Sequence, residues 1–205
     1  MIAIVDYGVG NLFSLSSSFS MIGKDAVATS DPDVIRGADR IILPGVGAFE
    51  DAARKLRSSG LGELVCREAE KGKPTLGICL GMQLLFDKSY EYGEHMGLGL
   101  IPGSVVPISG AIPEGLKIPH IGWNALKFKG EPSELFKYIN EGDFVYFVHS
   151  YYAAECDSAV IATSDYGAPL TAAVAKSNVF GCQFHPEKSG RVGLNILRAF
   201  CEIGG

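Results

Sequence analysis

Along the first 86 residues, short apolar runs alternate with stretches whose apolar positions recur every three or four residues. Ile2–Val5, Ala26–Thr29, Arg40–Leu43 and the run opening at Pro74 are short, near-continuous and aliphatic, as expected of strands buried on both faces. Between them the period lengthens. Leu12, Leu15, Phe19 and Ile22 share one helical face over 12–23, and Phe49, Ala52, Ala53 and Leu56 share another. Residues 61–71 predict a further helix closed by Gly72, and Asp31 or Asp33 is placed to cap a brief turn at Pro32. After Cys79 the spacing of Met82, Leu85 and Phe86 is again helical. Strand and helix thus alternate four times, which predicts an α/β fold with a parallel central sheet covered on both faces. Ligands in such folds bind beyond the carboxyl ends of the strands. The turns at Gly8, Gly45 and Cys79 all fall at that edge.

From residue 98 the rhythm changes to short strands punctuated by Gly and Pro, at 99–101, 104–107, 120–124 and 126–128. A small helix at 135–139 and an apolar strand at 144–148 follow, the latter running into His149-Ser150-Tyr151-Tyr152. Residues 160–163 and 172–175 predict an antiparallel pair, 179–184 another strand, and 192–203 a final helix. The fold expected is therefore a mostly parallel sheet flanked by helices, with additional antiparallel strands in the C-terminal half. No repeat, low-complexity tract or linker divides the chain, so residues 1–205 are expected to form one domain.

Composition narrows the function. Hydrophobic residues at 47% and charged residues at 20% are ordinary for a globular protein, and a net charge of −5 without a basic block argues against nucleic acid. The four histidines have no metal-ligand spacing, and no C-x-x-C pair is present, so no metal site is expected. Five widely spaced cysteines, an odd number, fit a reducing compartment. The run at Met1 meets Asp6 too early for a signal peptide, and nowhere do 18 apolar residues follow one another. A cytoplasmic protein without a membrane span is expected.

The chemistry centres on Gly77-Ile78-Cys79-Leu80-Gly81, the thiol form of the G-x-S-x-G nucleophile elbow. A helix N-terminus behind Cys79 favours thiolate over thiol. A free Cys is more often only a small buried hydrophobe, so the chain must also supply a base and an oxyanion hole. His185, held by Pro186, ends a strand, and Glu187 is placed to orient its imidazole if the backbone stays extended. His149 is the rival base but brings no orienting acid. The Leu80 N–H is one oxyanion donor, and Val46 or Gly47 in Pro44-Gly45-Val46-Gly47 offers the second. Together these parts describe acyl transfer through a thioester, which requires no cofactor. A dinucleotide reading of Gly8-x-Gly10 fails, because Phe13 occupies the third glycine position.

Gly77 to Gln83, taken with Phe184-His185-Pro186-Glu187-Lys188-Ser189, resembles the class I (triad) glutamine amidotransferases. Four further segments are similar to the glutaminase subunits of imidazole glycerol phosphate synthase, from histidine biosynthesis: Asp6-Tyr7-Gly8-Val9-Gly10-Asn11, Leu43 to Phe49, Pro119-His120-Ile121-Gly122-Trp123-Asn124, and Tyr146 to Tyr152. Cys182 and Ile121 are variants inside these motifs. The resemblance implies a flavodoxin-like fold and hydrolysis of the glutamine side-chain amide by Cys79, His185 and Glu187. It implies substrate contacts from Gln83, Glu91, Gly45 and the backbone at Ser150 and Tyr151. It also implies a heterodimer in which ammonia passes to a (β/α)8-barrel cyclase subunit that forms imidazole glycerol phosphate and an aminoimidazole carboxamide ribotide. Asn11, Pro119, Trp123, Tyr146 and Lys188 match positions facing that partner. Three alternatives are a glutaminase of another synthase, a stand-alone thiol hydrolase and a catalytically dead interaction subunit.

Overall fold

The computed structural model of the chain describes residues 1–204. The four early apolar runs are parallel strands: β1 (Ile2–Val5), β2 (Ala26–Thr29), β3 (Arg40–Leu43) and β4 (Thr75–Ile78). Ile4 lies opposite both Ala28 and Ile42, and Ile42 opposite Leu76. Four helices connect and cover them: α1 (Leu12–Met21), α2 (Pro32–Gly37), α3 (Phe49–Ser58) and α4 (Leu61–Glu70). Asp31 caps α2 by accepting from the Asp33 N–H at 2.8 Å. The pleat divides the core. Ala3, Val5, Ile41 and Leu43 pack with Ile35, Phe49, Leu56 and Val65 of α2, α3 and α4. Ile2, Ile4, Ile42, Leu76 and Ile78 pack on the other face with Leu15 and Phe19 of α1. That face is completed by the last helix, α6 (Gly190–Phe200), through Ile196, Leu197 and Phe200. Such two-sided burial is why β1, β3 and β4 carry no polar alternation, whereas β2, at the sheet edge, is only half-buried and not covered on both faces as expected.

The helix after Cys79, α5 (Leu80–Leu84), is shorter than its apolar spacing predicts, and Phe86 opens a strand instead. The carbonyls of Leu84, Leu85 and Phe86 are taken by the N–H groups of Leu98, Leu100 and Gly99, so the main chain leaves the helix to pair with residues beyond it. This segment builds a second sheet from β5 (Phe86–Ser89), β6 (His95–Met96), β7 (Ile101–Pro107) and β11 (Tyr151–Ala154). β7 fuses most of the two short strands expected at 99–107, while β6 and β11 have no counterpart in the expectation. A separate antiparallel ribbon joins β8 (His120–Ala125) to β10 (Phe144–His149). The helix expected at 135–139 is one 3₁₀ turn, Glu134–Phe136.

The remaining strands return to the main sheet: β9 (Lys127–Phe128), β12 (Val160–Asp165), β13 (Pro169–Lys176) and β14 (Val179–Cys182). The eight-stranded order is β2-β1-β3-β4-β14-β13-β12-β9. β14 is parallel to β4, and the strands beyond it are antiparallel, so the mostly parallel sheet has an antiparallel wing, as expected. Among the described residues no helix is long and apolar enough to cross a membrane.

Two glycines let the backbone turn sharply between β4 and α5. A Cβ on Gly81 would lie 1.8 Å from the Leu43 carbonyl oxygen, and one on Gly77 would lie 2.6 Å from the Gly81 oxygen. Both obstacles are backbone, so neither can rotate away. Gly81→Ala is expected to cost about 3 kcal/mol or more of stability, in the range of severe overpacking, whereas Gly110→Ala, which meets nothing within 4 Å, should be near neutral. Thermal unfolding of the two variants checks this; equal midpoints would show that the elbow is not tightly packed.

Candidate active site

Cys79 has φ +55° and ψ −112°, a conformation rare outside glycine. It persists because the residue's own N–H and carbonyl are both pinned. The Cys79 N–H donates to the Cys182 carbonyl of β14 at 2.7 Å, and the Cys79 carbonyl accepts the Gln83 N–H at 3.2 Å, starting α5. The bend places Cys79, 7% exposed, at the carboxyl edge of the sheet beneath a cavity of about 370 Å³.

β14 ends at Cys182, two residues short of the strand expected over 179–184, and His185 lies three residues beyond it. Its N–H donates to the Tyr146 carbonyl at 2.9 Å, and Ser189 ties the turn by donating its hydroxyl to the His185 carbonyl while accepting the Tyr146 N–H. His185 itself is extended, but residues 186–188 form a 3₁₀ turn rather than the extended path expected. That turn brings Glu187 Oε1 to 2.7 Å from His185 Nδ1, with both side chains almost fully buried. Since a carboxylate only accepts, Nδ1 carries the proton and Nε2 is left for the cavity. Burial pulls the His185 pKa down, but hydrogen bonding and charge from Cys79 and Glu187 outweigh it and push it up to about 9. Cys79 and His185, 106 positions apart in sequence, line the same cavity.

His149, the rival base, also lines this cavity, but both of its nitrogens are engaged. Nδ1 lies 2.9 Å from the Tyr151 carbonyl and must donate to it, so Nε2 is the acceptor for His120 Nδ1 at 3.0 Å. Burial is the main cause that lowers its pKa, to about 4. An imidazole held neutral with no free lone pair does not serve as a base.

The loop between β3 and α3 supplies Val46 and Gly47 to the cavity wall beside Leu80. As the first residue of α5, Leu80 has no intrahelical acceptor for its N–H. Gly45 lies where a Cβ would meet the Gly81 nitrogen at 2.7 Å, so the loop backbone rests on the first turn of the nucleophile helix. The Tyr7 hydroxyl donates to the Pro44 carbonyl at 2.6 Å and anchors the start of this loop. Glu91 anchors its end, accepting the Phe49 N–H at 2.6 Å.

Gln83, Glu91, Ser150 and Tyr151 all line the cavity. Glu91 therefore has two roles open to it, since its carboxylate already caps α3. Gly45 lies behind the wall rather than in it. Pro119 and Lys188 form one side of the mouth. Lys188 Nζ lies 5.8 Å from the centre of the Tyr146 ring, which meets Trp123 edge to face at 6.1 Å. Trp123 is 53% exposed, so it is not a core tryptophan. Asn11 stands apart as the N-cap of α1. Sequence reasoning missed Tyr7 and Gln183. The signals were an aromatic hydroxyl inside a glycine turn, and a polar residue in the apolar run before His185. No cluster of metal-ligating side chains occurs among the described residues.

A mostly parallel sheet with a strained cysteine at its edge, sharing a cavity with a histidine–glutamate pair, defines a thiol-dependent acyl-transfer site. Residues 4–203 match the model of the family described as glutamine amidotransferase class-I, and the chain belongs to that family. Within it, the chain is 49% identical to imidazole glycerol phosphate synthase subunit HisH of Syntrophotalea carbinolica, over 99% of this chain and all of that protein. It is 50% identical to the protein of the same name from Caldanaerobacter subterraneus subsp. tengcongensis, over 99% of this chain and 98% of that one. A solved structure described as a glutamine amidotransferase shares the fold, with a TM-score of 0.76, 19% identity and 98% of each chain covered.

The neutral His149 makes a prediction about pH. Its folded pKa lies below the unfolded value, so the unfolded chain binds the extra proton first. The associated stability is complete above about pH 6.5 and is lost as pH falls towards 4, by ~3 kcal/mol for this group. Urea unfolding at neutral and acid pH should show a shallower acid loss in His149→Gln than in the wild type. An identical pH slope would mean that His149 is not held neutral.

Proposed function

We propose that this chain is the glutaminase of an imidazole glycerol phosphate synthase, acting as one unit over its whole length. The observation that carries the reading is the buried Cys79–His185–Glu187 constellation, in a chain about half identical to proteins named as that synthase's HisH subunit. The Cys79 thiolate attacks the γ-carboxamide carbon of glutamine. The carbonyl π-electrons move onto oxygen, which the Leu80 N–H and a Val46 or Gly47 N–H receive. Collapse of this tetrahedral adduct breaks the C–N bond as His185 Nε2 gives its proton to the departing nitrogen, leaving a thioester and ammonia. Water, deprotonated by the same nitrogen, then attacks the thioester and releases glutamate and the thiolate. Glu187 holds the imidazole in the useful tautomer and stabilises its protonated form. Gln83, Glu91 and the backbone at Ser150 and Tyr151 surround the substrate, with Gly45 supporting the loop from behind the wall.

Ammonia is passed to a (β/α)8-barrel cyclase in the cytoplasm, and no cofactor takes part in its release. The partner is received on the face bearing Pro119, Trp123, Tyr146 and Lys188, with Asn11 contributing separately from the N-cap of α1. Exposure of Trp123 and its edge-to-face contact with Tyr146 support this assignment, because a large exposed aromatic beside the cavity mouth suits a docking surface. Relatives carrying the HisH name favour this synthase over other amidotransferase systems.

With the cyclase present, Cys79→Ala should abolish synthesis from glutamine while leaving synthesis from ammonium salts intact. Loss of both would mean that Cys79 is needed for structure rather than chemistry. Glu187→Gln should keep substrate affinity and lower glutamine turnover by ~10²-fold, the range for lost acid–base alignment. An unchanged turnover number would remove Glu187 from the mechanism.

A further inference from the structure

One backbone carbonyl fixes the direction of a hydrogen-bond chain that ends on the nucleophile. The Tyr151 carbonyl can only accept, so Gln83 approaches it, at 3.1 Å, with its amide NH₂. That same NH₂ lies 3.0 Å from the Gln183 side chain, which must therefore present its oxygen. With its oxygen committed, Gln183 turns its own NH₂ to the Cys79 sulfur, 3.8 Å away. Gln183 is 0% exposed, and its backbone N–H is fixed on the Ala172 carbonyl at 2.8 Å. Neither water nor side-chain swing offers this NH₂ an alternative partner.

We propose that Gln183 is a further residue of the reaction: its amide N–H holds and stabilises the Cys79 thiolate, in an orientation set by Gln83 and the Tyr151 carbonyl. The proposal rests on Cys79 being the nucleophile. A donor that bonds the charged form of a group favours that form, and bonds to anions are stronger than bonds to neutral acceptors. Because the amide is neutral, it aids the thiolate without repelling the imidazolium that forms on His185. The other ionisable groups facing the sulfur are the His185 imidazole and the buried Tyr7 hydroxyl, with Glu91 and Lys188 further along the cavity wall. None of these duplicates a fixed neutral donor.

The test is alkylation of Cys79 by iodoacetamide in the full-length chain, followed by peptide mapping so that Cys66, Cys156, Cys182 and Cys201 do not contribute. Gln183→Met removes both amide groups, and Gln183→Glu keeps the shape and the acceptor for Gln83 but turns an oxygen to the sulfur. Near pH 7 Gln183→Met should be alkylated about tenfold more slowly than wild type, and Gln183→Glu more slowly still, while near pH 10 the wild type and Gln183→Met converge. Glutamine turnover with the cyclase should fall in parallel, with KM little changed. A merely structural role would lower both pH limbs equally. Should Gln183→Met fail to fold by circular dichroism, Gln183→Glu decides alone. Alkylation of the folded variants within twofold of wild type near pH 7 would overturn the proposal while leaving Cys79 as nucleophile. Glutamine hydrolysis surviving in Cys79→Ala would instead overturn the nucleophile and the proposal together.

Discussion

The contact between the Gly81 backbone and the Leu43 carbonyl is the constraint from which the site follows. The first turn of α5 lies so close to the end of β3 that no side chain fits at Gly81, and Gly45 leaves the same space on the other side. Because both partners are main chain, the distance is set by sheet geometry rather than by side-chain packing. It holds Cys79 in a positive-φ conformation that its own Cβ disfavours. It also presses the loop carrying Val46 and Gly47 against the helix that carries Leu80. The cysteine and the backbone donors around it are therefore parts of one rigid junction. Tyr7 and Glu91 anchor the two ends of the loop, so any movement is confined to the few residues between Pro44 and Phe49.

Two histidines in the same cavity, one ending β10 and one just beyond β14, are driven in opposite directions by their partners. His185 faces a carboxylate and a thiol, both of which favour its proton, and their influence exceeds the cost of burial. His149 faces a carbonyl and a second imidazole, neither of which offers negative charge, and burial wins. Desolvation acts on both; the charge of the neighbours decides which histidine can carry a proton at neutral pH. The neutral member still has work to do, since it and Gln83 donate to the same Tyr151 carbonyl. That carbonyl thereby orders the polar groups behind the sulfur as well as those beneath the β8–β10 ribbon.

The ribbon itself joins the cavity to the outside. His149 and His120 are directly paired across it, and three residues further along Tyr146 pairs with Trp123. One end is buried against the catalytic strand ends and the other presents aromatic surface to solvent. A body seated on Trp123 would thus rest on the same two strands that hold His149, Tyr146 and, through Ser189, the His185 turn. Short hydrogen-bonded paths of this kind make the mouth and the chemistry mechanically continuous.

The sequence by itself determined the alternating strand–helix order, the elbow glycines, the cysteine and the histidine–glutamate pair. These are local: a period of apolar residues, a backbone conformation that excludes Cβ atoms, and two side chains separated by one proline. It also marked Trp123 and Lys188, through resemblance to a family rather than through pattern. Only the tertiary structure decided that α5 stops at Leu84, because its terminal carbonyls are claimed by Leu98, Gly99 and Leu100 from beyond the helix. It alone separated His185 from His149, whose immediate sequence contexts both end strands, since their different charge depends on groups distant in the chain. It alone placed Gln183 against the sulfur. Periodicity records that a position is buried, but the direction of a buried amide is fixed by the groups it meets, and for Gln183 these lie on Gln83 of α5 and on Cys79, about a hundred positions away in the chain.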